Sequence, residues 1–300
     1  MKKIVGVGAC VLDNIIEMNA YPIEDSKVKA NKISIRGGGP CSTALVCISK
    51  LGMSAEYLGV LSKDTVGKFL INDFKRFNVK THNIVQLENV DPFRAYIVLS
   101  KEKATRTCIS HNGSIPDDPS LLDFSTIEDA DVLHVDGNYI NCAKEATKAA
   151  KKRKVLVSYD AGSLYPRTME ILNDIDILIA SEAFAKSLTG EDDMDKAIVK
   201  MNERYHPLVL AITQGSKGGT YIENDVVKHY PSYKVECLDS NGAGDTFHGA
   251  FIVAYLNGLP LDKCLRFASA TSAIKCQKVG VRDALPTLNE VEQFMKEREE

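Results

Sequence analysis

The sequence predicts an α/β fold, with a doubly wound, mainly parallel sheet, helices on both of its faces and a small β lid beside it. Three features of the chain support this prediction. Short apolar segments alternate along the chain with segments of helical periodicity. The apolar segments are almost continuously hydrophobic, which is typical of parallel strands buried on both faces. Two other strand-like segments are more polar and interrupt the alternation.

The elements of the main sheet and its helices are predicted from local patterns. Strands are expected where apolar residues form short continuous runs, at residues 4–11, 55–61, 132–135, 155–159, 175–180 and 208–213. Helices are expected where apolar residues recur every three or four positions, at residues 42–51, 64–77, 243–256, 261–275 and 288–296. The helix that begins at Ala243 is stopped by Asn257-Gly258-Leu259-Pro260, a strong termination signal.

The two polar strand-like segments are predicted to form antiparallel ribbons. They are inserted at about residues 14–36 and 93–112, and together they form the lid. The alternative is that they are edge strands of the main sheet. Residues 1–300 are predicted to form a single domain, because this length is ample for one buried core with an appendage.

Composition and charge exclude several classes of protein. Hydrophobic residues make up 44% of the chain and charged residues 26%, which indicates a globular protein rather than a disordered one. The net charge is only -3 and no long basic run occurs, so a nucleic-acid partner is not expected. No segment reaches the ~20 consecutive apolar residues of a membrane helix, so no membrane partner is expected either.

The cysteines favour a cytoplasmic location. There are eight of them and none forms a C-x-x-C pair. Several, such as Cys47 and Cys264, lie inside apolar patterns, which is typical of buried reduced thiols. The N-terminus superficially resembles a signal peptide, but its apolar run stops at Asp13 and is interpreted as a buried strand.

The most informative stretch is Asp239-Ser240-Asn241-Gly242-Ala243-Gly244-Asp245-Thr246-Phe247, directly before a predicted helix. Small residues allow backbone N–H groups to approach a ligand, and a helix N-terminus binds phosphate. The carboxylate of Asp245 would repel that phosphate, so its presence in this turn needs an explanation. The explanation is that Asp245 takes a proton from a hydroxyl group that attacks the phosphate. A turn that holds an anion beside a base is suited to phosphoryl transfer. The sequence has no G-x-x-x-x-G-K-[ST] P-loop.

Gly242-Ala243-Gly244-Asp245-Thr246-Phe247, preceded by Asp239, resembles the C-terminal signature of the ribokinase-like (PfkB) sugar kinases. Gly37-Gly38-Gly39-Pro40, before a helix that ends in Leu51-Gly52, is similar to their N-terminal glycine motif. Thr213-Gln214-Gly215-Ser216-Lys217-Gly218 resembles their nucleotide-side turn. The resemblance covers the whole chain. It implies a ribokinase-like fold and an ATP-dependent kinase that phosphorylates a primary hydroxyl group of a carbohydrate.

The resemblance also implies roles for individual residues. Asp245 would be the base, and the N–H groups of Ala243, Gly244 and Asp245, after Gly242, would form an anion hole. The implied sugar-binding residues are Asp13, Gly38, Gly39, Thr43, Lys27 and Asn138. The implied ATP-binding residues are Thr213, Gly215, Ser216, Gly218 and Ser269. The residues implied at a site for K⁺ or another monovalent cation are Asp239, Asn241 and Gly280, through its carbonyl.

The sequence departs from the family pattern at several positions. Many members organise Mg²⁺ through Asn-x-x-Glu, but the matching stretch here is Ser181-Glu182-Ala183-Phe184. Glu182 either substitutes in holding Mg²⁺ or is an acid that favours the start of a helix, and ATP can itself carry the ion. Val11 stands where ribokinase has a second polar sugar contact, and Ala284 stands where it offers a hydroxyl group to the cation.

Within the family the chain looks most similar to kinases of ketohexose-like sugars, including sulfofructose kinases. Asp245-Thr246-Phe247-His248-Gly249-Ala250 and Arg266-Phe267-Ala268-Ser269 carry this likeness. Lys27 stands where such an enzyme could bind an anionic group, although a solvated lysine is the alternative. Asn138 stands where the sulfosugar enzymes have an arginine, so a sulfosugar is not inferred.

The sequence has two alternative functional interpretations and also suggests one assembly. A nucleoside kinase of the same fold would need walls for a nucleobase, which Phe93, Tyr96 and His111 could supply if they do not simply pack in the sheet. A sugar-binding relative without catalysis is disfavoured, because Asp245 and its turn are retained. The family resemblance further suggests a homodimer through the lid, with a contact face formed by Ile33, Ile35, Tyr96 and Val98.

Overall fold

The structure is a computed structural model, and it describes residues 1–103 and 105–298. In chain order, its strands are β1 Lys3–Val7, β2 Val11–Met18, β3 Lys32–Gly38, β4 Ser54–Tyr57, β5 Gly59–Ser62, β6 Ile84–Leu87, β7 Arg94–Ser100, β8 Thr105–His111, β9 Val132–Val135, β10 Leu156–Ala161, β11 Ile177–Ser181, β12 Val209–Thr213, β13 Gly219–Glu223 and β14 Val226–Tyr230. Its α-helices are α1 Pro40–Lys50, α2 Thr65–Arg76, α3 Ile140–Lys152, α4 Glu182–Thr189, α5 Met194–Tyr205, α6 Ala243–Leu256, α7 Leu261–Cys276 and α8 Leu288–Lys296.

The main sheet has eight strands in the described residues, in the order β14-β13-β12-β11-β10-β9-β1-β4. Six neighbouring strands of this sheet, β12, β11, β10, β9, β1 and β4, pair in parallel. Strands β13 and β14 extend the sheet as an antiparallel hairpin. The predicted mainly parallel sheet is therefore confirmed. The carboxyl ends of the parallel strands meet along one edge, where ligands bind in open α/β sheets.

Helices cover both faces of the main sheet, as predicted. Successive side chains of a strand point to opposite faces, so on β11 Ile177 and Ile179 enter one core while Leu178 and Ala180 enter the other. Helices α1, α2, α6, α7 and α8 contribute to the first core, and α3, α4 and α5 contribute to the second. Burial on both faces explains why these strands are continuous apolar runs in the sequence.

Capping side chains fix where several helices begin. Asp64 caps α2 by accepting hydrogen bonds from the Val66 and Gly67 N–H groups, and Thr287 and Glu290 form a capping box at α8. Within residues 1–103 and 105–298, no helix combines the length and the apolar character needed to cross a membrane.

A second sheet lies beside the main sheet and is called the lid sheet below. Its strand order is β3-β2-β7-β8, with β2 antiparallel to β3 and parallel to β7, and with β7 antiparallel to β8. The predicted ribbons are therefore a separate sheet and not edge strands of the main one. The inner face of the lid sheet carries the buried side chains Asp13, Ile15, Ala95 and Ile97.

Two predicted strands are each divided in the structure. The predicted strand 4–11 ends at Val7, and Val11 begins β2, so the prediction of one continuous strand is wrong. The chain leaves the main sheet here because the Ala9 N–H donates to the Asp136 carboxylate, at 2.8 Å, instead of to a strand. Asp13 therefore lies on the lid sheet. The predicted strand 55–61 likewise divides into β4 and β5, and β5 pairs with β6.

Candidate active site

The turn before α6 has a backbone shape that requires glycine. Gly242 is the N-cap of α6, and its φ of 78° lies in the left-handed region. A Cβ atom at this position would lie 2.6 Å from Cγ1 of Val281. A larger residue would therefore be strained and would also collide with the chain that follows α7.

The N–H groups of this turn differ in their partners. The Ala243 N–H donates to the Ser240 carbonyl oxygen at 3.2 Å, and the Asp245 N–H is directed at its own carboxylate. In the described part of the chain, the Gly244 N–H donates no hydrogen bond. Gly244 is exposed, so its N–H is free to bind an anion.

Asp245 lies in surroundings that disfavour its charged form. Partial removal from water raises the pKa of Asp245 to about 7, and repulsion by Asp160 and Asp136 adds to the effect, whereas His248 opposes it. The residue is still partly exposed, so a ligand can reach it. A carboxyl group with this pKa exchanges its proton near neutral pH, as a general base must.

A buried histidine–aspartate pair lies behind Asp245. His248 is one turn further along α6, and its Nε2 atom lies 3.1 Å from Oδ1 of Asp160, with both side chains almost fully buried. Burial favours neutral Asp160, but His248 outweighs it and lowers the pKa of Asp160. The ring of His134 is centred 5.9 Å from that of His248, and burial lowers the pKa of His134 to about 3. Asp160 is therefore a fixed negative charge near Asp245.

The nucleotide-side residues predicted from the sequence line one cavity of about 580 Å³. This cavity lies between α6, α7 and the turn after β12, and Ala243 and Gly244 also line it. The predicted residues in its wall are Thr213, Gly215, Ser216, Gly218 and Ser269. Residues 232–235 form a further part of the wall that the sequence did not single out.

Three of the residues predicted to bind the sugar, Asp13, Gly38 and Gly39, meet where β2 and β3 approach α1. The backbone of Gly38 lies so close to Asp13 that a Cβ atom on Gly38 would be 2.0 Å from Oδ2 of Asp13. Gly39 follows as the N-cap of α1. Burial raises the pKa of Asp13 to about 7, although Arg282 opposes the shift. A hydroxyl group that donates to Asp13 would favour its charged form.

A buried carboxylate that the sequence analysis missed organises this side of the site. Asp136 follows β9 and accepts hydrogen bonds from the N–H groups of Ala9, Cys41 and Asn138, at 2.8, 2.9 and 3.0 Å. It also accepts one from Nδ2 of Asn138 at 3.1 Å. Asp136 therefore joins the chain before β2, the start of α1 and the segment after β9.

Two predicted sugar contacts have contrasting surroundings. Thr43 is fully buried in the first turn of α1, and its Oγ1 atom has no hydrogen-bond partner in the described residues. Its neighbour Ser42 donates to the Gly38 carbonyl oxygen at 2.6 Å. Lys27 is exposed in the segment between β2 and β3, and within the described residues it forms no ion pair.

The segment after α7 connects the two sides of the site. The Gly280 N–H donates to Oδ2 of Asp239 at 3.0 Å, on the side of the turn. Arg282 is buried and donates to the Gly38 carbonyl oxygen at 2.9 Å and to Asp73 at 2.6 Å, on the sugar side. Neither Arg282 nor Asp73 belongs to a motif that could be recognised in the sequence.

The residues predicted to surround a monovalent cation lie together. Oδ1 of Asp239 accepts a hydrogen bond from the Asn241 N–H at 2.9 Å, and Oδ2 accepts the one from Gly280. The ammonium group of Lys275, which the sequence analysis did not single out, donates to the Asp239 carbonyl oxygen at 2.7 Å. Burial lowers the pKa of Lys275, and the negative charge of Asp239 opposes that shift.

A sequence model of one protein family, described as pfkB family carbohydrate kinase, matches residues 1–288. The chain belongs to the PfkB family of carbohydrate kinases. As a PfkB kinase it is a phosphotransferase with an alcohol group as the acceptor, which confirms the class of enzyme that the sequence motifs implied.

Known proteins are similar to this PfkB kinase over almost its whole length. Ribokinase of Bacillus subtilis is 25% identical over 297 residues, which cover 98% of this chain and 100% of the relative. The probable fructokinase-5 of Arabidopsis thaliana is 27% identical over 323 residues, covering 98% of each. The solved structure of Arabidopsis thaliana ribokinase complexed with ribose and ATP has a TM-score of 0.85 at 25% identity, covering 98% of each chain. The fold is thus shared by relatives named for different sugars.

Glu182 of this PfkB kinase begins α4, close to the nucleotide-side turn. Ser181, before it, pairs in register with Thr213 and caps α4 by accepting a hydrogen bond from the Phe184 N–H at 3.0 Å. Glu182 forms an ion pair with Lys186 at 3.5 Å. Among the residues that the structure describes, no three His, Cys, Asp or Glu side chains form a group that could hold a metal ion.

Proposed function

We propose that this PfkB kinase transfers the γ-phosphoryl group of ATP to a primary hydroxyl group of a sugar, with Asp245 as the base. The observation that carries the proposal is Asp245 itself, a carboxyl group with a pKa of about 7 next to the free Gly244 N–H. A base for the hydroxyl group and a donor for the phosphoryl oxygens then lie within one turn of α6, as phosphoryl transfer requires.

ATP is proposed to bind in the cavity of about 580 Å³, with its phosphates at the amino end of α6. Thr213 and Ser269 supply polar groups to this cavity, and Phe247 supplies an aromatic wall. A residue of the lid sheet brings a positive charge to the same place, because Nη1 of Arg106 donates to Oγ of Ser240 at 2.9 Å. The guanidinium group would neutralise phosphate charge.

The proposed reaction moves one proton and one phosphoryl group. The hydroxyl oxygen of the sugar attacks the γ-phosphorus while its proton passes to Asp245, and the bond to the β-phosphate oxygen breaks, so that ADP leaves. The Gly244 N–H stabilises charge on the transferred group. Asp13 accepts a hydrogen bond from another sugar hydroxyl group and orients the acceptor. The lid sheet excludes water, which would otherwise accept the phosphoryl group.

Mg²⁺ is proposed to enter with ATP and not to occupy a protein site of its own. Bound to the phosphates, it would neutralise their charge. Glu182 is the acid in the stretch that matches the Asn-x-x-Glu motif, and it already forms an ion pair with Lys186. This ion pair supports the proposal, because it gives the Glu182 carboxylate a partner other than Mg²⁺.

The arrangement of the lid sheet favours a sugar over a nucleoside. Tyr96 pairs in register with Asn14, whereas Asp13 pairs with Ala95. Because neighbouring residues of a strand point to opposite faces, Tyr96 is on the face opposite to Asp13 and cannot wall the site of its own chain. His111 is exposed and pairs with Asp91 at 2.8 Å. Two of the three proposed nucleobase contacts therefore lose their support.

The function is tested by measuring ADP release and sugar phosphate formation with a panel of pentoses, ketohexoses, sulfosugars and nucleosides. The wild-type protein is expected to phosphorylate at least one sugar more efficiently than any nucleoside. Asp245→Asn is expected to lower this rate about 10²–10⁴-fold, because it removes the base. Asp225→Asn, at an exposed aspartate in the turn between β13 and β14, is the matched control. An Asp245→Asn protein as fast as this control would contradict the role of Asp245.

We also propose that the outer face of the lid sheet joins two copies of the chain. Ile35 is half exposed and pairs through Asn14 with Tyr96, and Ile33 pairs through Ile16 with Val98, so these predicted residues share one face. An exposed apolar face of this kind is typical of an interface. Light scattering is expected to give a dimer for the wild type and a monomer for Ile35→Asp, with Leu208→Asp, at an exposed leucine elsewhere, still dimeric.

We also propose a domain organisation and a location for this protein. Residues 1–300 are proposed to act as one domain, with the lid sheet as an appendage of its core. The protein is proposed to be cytoplasmic, because all eight of its cysteines, which lie in the described residues, are free thiols.

A further inference from the structure

A buried positive charge lies where the family resemblance predicts a monovalent cation. Lys275 is in the last turn of α7, and its side chain is fully buried. Its Nζ atom donates to the Asp239 carbonyl oxygen at 2.7 Å and lies 3.9 Å from Oδ2 of the same residue. The ammonium group therefore contacts the residue that a bound cation would contact, through both its carbonyl and its carboxylate.

These contacts leave no electrostatic role for an added ion. A buried ammonium group needs a partner, and Asp239 is a buried carboxylate that needs one too. Each balances the charge of the other. An ion such as K⁺ at the same place would set a second positive charge beside the ammonium group, which Coulomb repulsion disfavours. The residues present therefore do not fit a monovalent cation.

The backbone around Lys275 is also used in other ways. The Lys275 carbonyl oxygen accepts a hydrogen bond from the Lys278 N–H at 3.1 Å. The next carbonyl oxygen, of Cys276, accepts the N–H groups of Leu238 and Asp239 at 2.8 and 3.1 Å. Ala284, at the position where ribokinase is expected to offer a hydroxyl group, is buried and has none to offer. Two carbonyl oxygens next to Lys275 are thus already hydrogen-bonded, and the hydroxyl group expected at position 284 is missing.

We propose that the Lys275 ammonium group replaces the monovalent cation, so that phosphoryl transfer needs no added K⁺. The proposal rests on the proposed kinase function. Lys275 fixes Asp239, Oδ1 of Asp239 holds the Asn241 N–H at 2.9 Å, and the chain then leads directly into Gly244. Because its side chain is fully buried, Lys275 touches no ligand and is a positioning residue.

The first test compares the wild-type protein in KCl, NaCl and tetramethylammonium chloride at matched ionic strength. The rates in the three salts are expected to agree within about twofold, because the salts screen charge equally. The thermal unfolding midpoints in the three salts are expected to agree within error. A rate or a midpoint that rises specifically with K⁺ overturns the proposal. If no sugar is phosphorylated in any salt, the proposed kinase function fails. The unfolding midpoint still shows whether the protein binds K⁺ or has Lys275 in its place.

The second test uses variants that separate charge from packing. Lys275→Ala is expected to lower the rate about tenfold or more in tetramethylammonium chloride. K⁺ or methylammonium is expected to restore both the rate and the unfolding midpoint of this variant. The reason is that a small cation can enter the space that the lysine side chain vacates. Lys275→Met fills that space without a charge, so neither cation should rescue it. Lys278→Met, at an exposed lysine paired with Glu290, is the control and should stay independent of cations.

Two outcomes with the variants would overturn the proposal. One is a Lys275→Ala protein that keeps the wild-type rate and unfolding midpoint without a small cation. The other is a loss that no cation restores, because it would assign Lys275 to packing alone. If Lys275→Ala does not fold, the comparison of salts with the wild-type protein decides.

Discussion

The two carboxylates at either end of the turn before α6 have the same chemistry and opposite surroundings. Asp239 accepts two backbone N–H groups and pairs with the buried Lys275. Burial raises the pKa of Asp245 to about 7, and the negative charge of Asp160 adds to this shift. The difference shows how one residue type serves two purposes. A carboxylate that fixed donors and a cation keep charged positions the chain, and one whose charge is disfavoured by burial and by a like charge can exchange a proton.

The strongest challenge to this contrast is the same substitution at both positions. Asp245→Asn is expected to remove most activity but to leave the free energy of unfolding at pH 8 unchanged or higher. The sign follows because the pKa of Asp245 is raised by folding, so its charged form opposes folding at any pH above its ordinary value. Asp239→Asn is expected to lower the free energy of unfolding by about 3–5 kcal/mol, because it leaves Lys275 buried and unpaired.

Urea denaturation and steady-state kinetics on the same preparations separate the two effects. Equal losses of stability in the two variants would show that the contrast between the carboxylates is wrong.

A smaller effect is expected from the charge behind Asp245. In the wild-type protein, kcat/KM should rise with pH through about 7, because Asp245 acts only when it is deprotonated. Asp160→Asn removes the like charge, lowers the pKa of Asp245 and should move this rise to lower pH by about one unit. Asp174→Asn, at an exposed position, should leave the profile in place. A profile that Asp160→Asn does not move would assign the pKa of Asp245 to burial alone.

The smallest effect is expected at Ser240, between the two carboxylates. Arg106→Ala removes the contact of the lid sheet with this residue, and it is expected to raise the KM for ATP about three- to tenfold. The free energy of unfolding should change by no more than about 0.5 kcal/mol, since Arg106 is exposed. Ser240→Ala should affect the KM less, because the guanidinium group remains. An unchanged KM in both variants would show that the lid sheet does not contact the phosphates.

Much of the site could be predicted because its motifs occupy the ends of regular elements. Thr213 to Gly218 follow a strand, and Ala243 and Gly244 begin a helix, and a parallel sheet brings such ends to one edge. The sequence therefore predicts which residues share the nucleotide-side cavity. It misplaced Asp13 because the run from Ile4 is apolar throughout, and nothing local marks the break after Val7.

The residues that were missed act through contacts that are distant in sequence. Asp136 and Asp160 each lie at the end of an apolar strand, where an aspartate is commonly solvated. Their roles depend on Ala9 and Cys41 in one case and on His248 in the other. No periodicity or spacing encodes such partners, so buried clamps of this kind are found only in the folded structure.

The buried guanidinium group of Arg282 has a consequence for how the enzyme is made. The partners of Arg282, Gly38 and Asp73, precede it by 244 and 209 residues. The ribosome therefore synthesises Gly38 244 residues before the guanidinium group that contacts it. A nascent chain that stops before Arg282 contains every glycine motif of the site but lacks the hydrogen bonds that Arg282 donates to Gly38 and Asp73. Arg282 can therefore hold Gly38 only after both glycine motifs of the site have been translated.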